Sequence, residues 1–227
     1  MLTITYLGHS AFALEAEGRQ VLIDPFLSGN PKASAKPDDF KPVAILLTHA
    51  HDDHVGDTIE IAKRADATTV STFELGVWLG QQGVKGAVSA NHGGTVAFEG
   101  GSVKLTPAWH TSSYSENFLA PGVPAGLIVH FGGRKVYFAG DTCLFGDMAL
   151  IGDEDLDVAV VPIGDLFTMG PADAVKAVKL LHPKLVIPCH YNTFDAIKQD
   201  PHAFKAAVES ETDAKCSPLE PGQSIQV

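Results

Sequence analysis

Thr48-His49-Ala50-His51-Asp52-Asp53-His54 decides how this chain is read. The stretch follows the pattern H-x-H-x-D-H and begins where the apolar run Val43 to Leu47 ends. A buried polar side chain costs free energy unless a partner satisfies it. A packed core therefore has no use for three imidazoles and two carboxylates in one short loop, and a metal ion is the partner that engages them together. If Val43 to Leu47 is a buried strand, His49 and His51 leave its carboxyl end two residues apart on one side. Both rings then reach one ion, while Asp53 and His54 continue round the turn towards another. Imidazole nitrogen and carboxylate oxygen suit zinc, with manganese or iron as alternatives. The competing reading is a polar loop entering a helix, with Asp52 or Asp53 as its cap.

Further candidates stand downstream, each after an apolar or alternating segment. His110 follows Ser102 to Trp109, Asp141 follows Lys135 to Gly140, and His190 follows Lys184 to Cys189. Open α/β sheets gather their sites from the carboxyl ends of several strands. The order Asp24, His49/His51/Asp53/His54, His110, Asp141, His190 resembles the five-motif signature of the metallo-β-lactamase superfamily and covers nearly the whole chain. The segments Leu7-Gly8-His9-Ser10-Ala11-Phe12 and Val21-Leu22-Ile23-Asp24-Pro25-Phe26 look most like a branch of small bacterial and archaeal metal-dependent hydrolases. That branch is similar to ascorbate-phosphate lactonases and N-acyl-phosphatidylethanolamine phospholipases.

The resemblance implies two divalent ions, one on His49, His51 and His110 and one on Asp53, His54 and His190, bridged by Asp141. Two cations roughly 3.5–4 Å apart hold a shared hydroxide and lower the pKa of its parent water to about 7. Asp53 is the candidate to orient that hydroxide or shuttle its proton. Asp24 is expected to accept a ring N–H from a ligand histidine, against a simple turn role before Pro25. His9 either donates to substrate or packs under the site. The expected activity is hydrolysis of a phosphodiester, lactone or ester in a small-molecule substrate. The alternative is a non-hydrolytic metal-binding or redox member of the superfamily. The redox pattern, however, replaces the second histidine of the cluster by glutamate, and this chain has His51.

Composition agrees with one hydrolase domain over residues 1–227. The chain has 45% hydrophobic residues and a formal charge of -11, which with the lack of a basic run argues against a nucleic-acid binder. The three cysteines Cys143, Cys189 and Cys216 form no disulfide framework; two of them lie beside Asp141 and His190 and are read as small residues next to the site. The start Met1-Leu-Thr-Ile-Thr-Tyr-Leu has no charged segment leading an apolar one. No stretch approaches the roughly 18 apolar residues of a membrane span. The expected compartment is the cytoplasm, and a homo-oligomer is compatible with this reading.

Periodicity predicts strands over Leu2 to Leu7, Ala11 to Ala16, Gln20 to Asp24, Val43 to Leu47, Thr68 to Ser71, Val84 to Ser89, Thr95 to Glu99, Val103 to Ala108, Gly126 to Phe131, Lys135 to Phe138, Asp157 to Pro162, Lys184 to Pro188 and Ser224 to Val227. Helices are predicted over Asp57 to Arg64, Phe73 to Gln81, Ala172 to Leu181 and Pro201 to Glu209. Pro171 suits a first helical position, and His182-Pro183 a helix end. Arg19 to Asp24 echoes Arg134 to Asp141 and points to two related halves. By the resemblance these give an αββα sandwich of two mixed sheets with helices on the outer faces and the metals at one edge.

Two long loops are candidates to wall the cleft. One is Phe26 to Pro42, punctuated by prolines; the other is Thr111 to Pro124, with Ser112, Ser113, Tyr114 and Asn117 best placed. Thr168 and Met169, between a strand and a helix, are further candidates for substrate contact. His92, His130, His182 and His202 have no motif around them and are read as structural or surface residues.

Overall fold

Adjacent residues of a strand face opposite ways, and in this chain both faces of the central strands are apolar. The computed structural model describes residues 1–115, 119 and 121–227. Its first sheet holds β1 (Thr3–Gly8), β2 (Ala11–Ala16), β3 (Arg19–Ile23), β4 (Ala44–Leu46), β5 (Thr68–Thr72) and β6 (Ala87–Ala90). The second holds β7 (Thr95–Phe98), β8 (Gly101–Pro107), β9 (Ala125–Phe131), β10 (Arg134–Phe138), β11 (Val158–Pro162), β12 (Leu185–Cys189) and β13 (Lys215–Cys216). The last strand, β14 (Ser224–Gln226), returns to the first sheet and pairs antiparallel with β1.

The sheet orders are β14-β1-β2-β3-β4-β5-β6 and β7-β8-β9-β10-β11-β12-β13. In each, the first three pairings are antiparallel and the last three parallel. The change of direction falls at β3 in one sheet and β10 in the other, the two strands whose sequences echo each other.

Inward residues of both sheets make the central core, among them Phe12, Ile23 and Leu46 against Leu127, Phe138 and Val160. Outward Leu22, Ile45 and Leu47 pack under α2 (Thr58–Ala65) and α3 (Phe73–Gln81) through Ile61, Leu75 and Leu79. Outward Tyr137, Ala159 and Val161 pack under α4 (Met148–Gly152), α5 (Pro171–Leu181) and α6 (Pro201–Glu211) through Met148, Val178 and Phe204. The result is the four-layer αββα sandwich. Before α2, the single turn α1 (Asp52–Val55) carries Asp53 and His54 of the cluster.

Local signals explain the helix ends. Pro171 opens α5, and His182, left-handed at φ 47°, closes it before Pro183. Asp200 caps α6 by accepting from the amides of His202 and Ala203 at 2.9 and 3.1 Å. Sequence periodicity misses α4 and the two-residue β13, which are too short to show a period. It also starts the sixth strand too early: Val84 bonds back to the Leu79 carbonyl at the end of α3, so β6 begins at Ala87.

Candidate metal centre

The ligand-type residues all follow strand ends on one edge of the sandwich. Asp24 follows β3, the His49 to His54 stretch follows β4, His110 follows β8, Asp141 follows β10 and His190 follows β12. His9 follows β1. Three of these, His9, Asp24 and His190, have left-handed backbones at φ 61°, 42° and 53°. Such a conformation costs a non-glycine residue of order 1–3 kcal/mol and persists only where surrounding structure enforces it. Here it turns each side chain sharply from its strand into the centre. Gly140, at φ 63°, provides the remaining close approach: a Cβ there would come within 2.9 Å of the Thr48 Cβ. A side chain at that position would separate Asp141 from the His49 loop.

The side chains fall into two groups whose ligating atoms lie within 4.8 Å of one another: His49, His51, His110 and Asp141, and His9, Asp53, His54 and His190. Asp141 stands between them. Its Oδ2 is 3.1 Å from His190 Nε2, 3.6 Å from His110 Nε2 and 4.0 Å from His49 Nε2, and its Oδ1 is 3.4 Å from His54 Nε2. The structure thus brings together all seven residues expected as ligands.

Their surroundings prepare lone pairs. Asp24 accepts from the Thr48 amide at 2.9 Å, the Thr48 hydroxyl at 2.6 Å and His54 Nδ1 at 2.8 Å. His54 is left with a buried Nε2 that has no hydrogen-bond partner among the described residues, like Asp141 Oδ1 opposite it. The Thr48 hydroxyl, having donated to Asp24, accepts from His49 Nδ1 at 3.0 Å, which leaves His49 Nε2 unprotonated. That atom lies 2.9 Å from His51 Nδ1. Buried imidazole nitrogens and carboxylate oxygens converging in this way are what a divalent cation requires once the rings are deprotonated, and the residues fit one in each group.

Burial pushes the His49, His51 and His110 rings below the ordinary imidazole range, which keeps them neutral. Burial alone would also lower His54, but the Asp141 and Asp24 carboxylates outweigh it and push this ring well up. Burial works to raise Asp141, yet His190 and His54 hold its carboxyl well below the usual range. Asp53 behaves alike: burial opposes ionisation, and the hydrogen bond from His9 and the charge of His54 prevail.

Other expectations sort cleanly. Thr111 Oγ1 lies 3.4 Å from His51 Nε2, the Ser112 hydroxyl accepts from the Ala50 amide at 3.2 Å, and the Tyr114 ring packs on Trp78 at 4.5 Å between centroids. This segment does lie against the histidine loop; Asn117 lies outside the described residues. In the other loop, Phe26 borders His9, while the stretch near Pro37 to Phe40 is tied to α2 by Arg64. Met169 is buried in the outer core and its amide bonds the Thr142 carbonyl, so it offers no side chain to a substrate; Thr168 is half-buried. Instead Leu166 and Phe167 of that loop are exposed, as are Trp109 beside His110 and Phe194 beyond His190. Cys143 is exposed and Cys189 lies in the central core, and neither belongs to a ligand group. Thr48 and Thr193, which bond ring nitrogens of the cluster, escape sequence reasoning because hydroxyls carry no spacing signature.

Residues 3–190 match the family model described as a β-lactamase superfamily domain. A UPF0173 metal-dependent hydrolase of Bacillus cytotoxicus is 50% identical over 229 residues, covering 99% of each chain. One of Methanosarcina mazei is 48% identical, covering 100% of this chain and 99% of its own. Among solved structures, Igni18, a metallo hydrolase of the archaeon Ignicoccus hospitalis, superposes with a TM-score of 0.90 at 42% identity, covering 99% of this chain and 97% of that one. The chain belongs to the metallo-β-lactamase superfamily and, within it, to the UPF0173 metal-dependent hydrolases.

Proposed function

We propose that this metal-dependent hydrolase works with two divalent cations and cleaves a phosphodiester, lactone or ester bond in a small substrate. One cation is assigned to His49, His51 and His110, the other to Asp53, His54 and His190, and Asp141 is shared. The observation that carries this reading is the position of Asp141, which faces histidines of both groups: Oδ1 lies towards His54, and Oδ2 stands between His190 and His110. Zinc suits this donor set, with manganese or iron as alternatives. Bound cations supply an activated water at neutral pH and an electrophilic clamp on the oxygen that gains charge.

The chain's own residues supply orientation and proton transfer. Asp53 has 32% of its side chain exposed, against 3% for Asp141, so it is the carboxylate that water and substrate can reach. Its reach to water and substrate, and not its basicity, suits it to orient the attacking water and to relay a proton to the leaving oxygen. The resemblance of the Leu7 to Phe12 and Val21 to Phe26 segments to lactonase and phospholipase relatives favours oxygen leaving groups over β-lactam nitrogen. We place this activity in the cytoplasm, in agreement with three unpaired cysteines. Among the described residues no helix is long and apolar enough to cross a membrane.

Zinc- or manganese-loaded protein assayed on bis-nitrophenyl phosphate, a panel of lactones and esters, thioesters and nitrocefin tests the reading. Turnover is expected on the phosphodiester, a lactone or an ester, with D53A slower by about 10²–10⁴-fold, the range of a lost general acid–base group. Turnover of nitrocefin or a thioester alone, or full activity in D53A, refutes it.

A further inference from the structure

His9 lies behind the second group and out of reach of a substrate. The β1 register shifts between Tyr6 and Gly8, and His9 follows with its left-handed backbone. Its carbonyl accepts from the Tyr6 hydroxyl at 3.1 Å and the His190 amide at 2.8 Å. The ring is fully buried among Phe26, His54, His190 and Phe194, with centroids 4.2 to 5.8 Å away. Each nitrogen has one partner: Nε2 is 3.0 Å from Asp53 Oδ2, and Nδ1 is 2.9 Å from Thr193 Oγ1.

Charge selects the tautomer. An ionised carboxylate only accepts, so the nitrogen beside Asp53 carries the hydrogen, and Nδ1 accepts from the Thr193 hydroxyl. A ring nitrogen that donates has no lone pair for a cation. Asp53, His54, His190 and the shared Asp141 already make a set of four donors, the usual number for zinc. His9 is therefore no fifth ligand, although it sits within reach of the group.

We propose that His9 is a positioning residue for Asp53: its Nε2–H holds one carboxylate oxygen and leaves the other for the cation and the transferred proton, and Thr193 sets the ring's tautomer. The proposal rests on the two-cation reading above. Asp53 needs such a hold because α1 has only four residues, too few to keep a helical turn rigid without tertiary contacts. Its neighbour His54 is held in the same way by Asp24, so both donors of this turn are fixed from behind by residues that follow strands of the first sheet.

Three variants test it: H9L removes the donor, H9Q keeps an N–H about as far from the backbone, and T193V removes the tautomer partner. Leu and Gln meet the left-handed backbone alike, so a difference between them reports the hydrogen bond. Second-ion affinity, read by chelator competition, should fall about 10–100-fold in H9L, the usual effect of losing a partner behind a ligand. T193V should fall less, and H9Q should recover most of the loss. Zinc X-ray absorption of H9Q should count as many imidazoles as the parent. Parent-like binding in H9L overturns the proposal in favour of mere packing, and a lost imidazole in H9Q overturns it in favour of ligation. Should H9L not fold, parent-like binding in T193V together with weak binding in H9Q overturns it as well. A parent protein that holds a single ion refutes the two-cation reading and this proposal with it. Two tightly held ions in every variant refute this proposal alone.

Discussion

Asp24 accepts the Nδ1 proton of His54 at 2.8 Å, and the opposite nitrogen of the same ring has no hydrogen-bond partner among the described residues. The carboxylate thereby decides which atom of His54 is free for a cation. Through the Thr48 hydroxyl it also decides which atom of His49 is free, so one buried residue sets a donor in each group.

Two substitutions separate these effects. Asp24→Asn has one acceptor oxygen where the site needs two, so Thr48 or His54 loses its partner. Affinity for the second ion should fall by about 10–100-fold. Thr48→Val keeps the shape but removes the link to His49, and should weaken the first ion more than the second. Chelator competition on each variant checks this. Unchanged retention of both ions in Asp24→Asn would reduce Asp24 to a turn former.

Metal content follows from the grouping. Gently purified protein should hold about two ions per chain, the complement of a two-metal site. His190→Ala should empty chiefly the second site and His110→Ala the first, since those rings belong to different groups. Plasma emission spectrometry reads the counts. One tightly held ion under saturating metal, indifferent to His190→Ala, contradicts the dinuclear assignment.

Proton release distinguishes the two sites further. Without metal, Asp141 and Asp24 push His54 above its ordinary value of 6.5, so near neutrality a cation must displace a proton from it. His49, His51 and His110 are pushed down and already neutral there. Second-ion affinity should therefore rise with pH until the raised His54 value is passed, with about one proton released from this ring per ion in addition to any from bound water; first-ion affinity, which displaces no ring proton there, should depend on pH less steeply above pH 6.5. In metal-free protein the same shift stabilises the fold, fully below pH 6.5 and less as the pH rises through the raised value. Calorimetry in buffers of different ionisation heat measures the release. Heats of second-ion binding that do not depend on the buffer would contradict it.

Much of this centre is legible in the sequence because metal ligands have strict spacing and strands have a period of two. His49 to His54 stand out by their spacing and His110, Asp141 and His190 by their places after strands, with the family resemblance joining them into one candidate set, and the echo of Arg19 to Asp24 in Arg134 to Asp141 marks the matching strands β3 and β10. What stays hidden depends on packing between the halves. The His9–Thr193 contact joins residues 184 apart, and the role of His9 follows from a bulge and a left-handed turn that no periodicity announces. Met169 is a candidate for substrate contact by its place in the sequence, yet burial puts it in the outer core and leaves Phe167 of the same loop in solvent.

Gly164 provides a prediction that needs no metal for its first readout. The chain leaves β11 beside β12, and the Ile163 amide bonds the Cys189 carbonyl at 3.1 Å. The next residue must pass so close to His190 that a Cβ on Gly164 would overlap its carbonyl oxygen. That oxygen belongs to backbone and cannot swing aside as a side chain would. Gly164→Ala must therefore shift either the 164–170 loop or His190, at a cost of about 1–3 kcal/mol for overpacking. The melting temperature of metal-free protein should drop, and second-ion affinity should fall while first-ion affinity holds. Gly146→Ala is the control, since a Cβ there meets nothing within 4 Å. Equal melting temperatures for the two variants would show that the strand ends at this edge yield freely, and that His190 is not held in place by the close passage of Gly164.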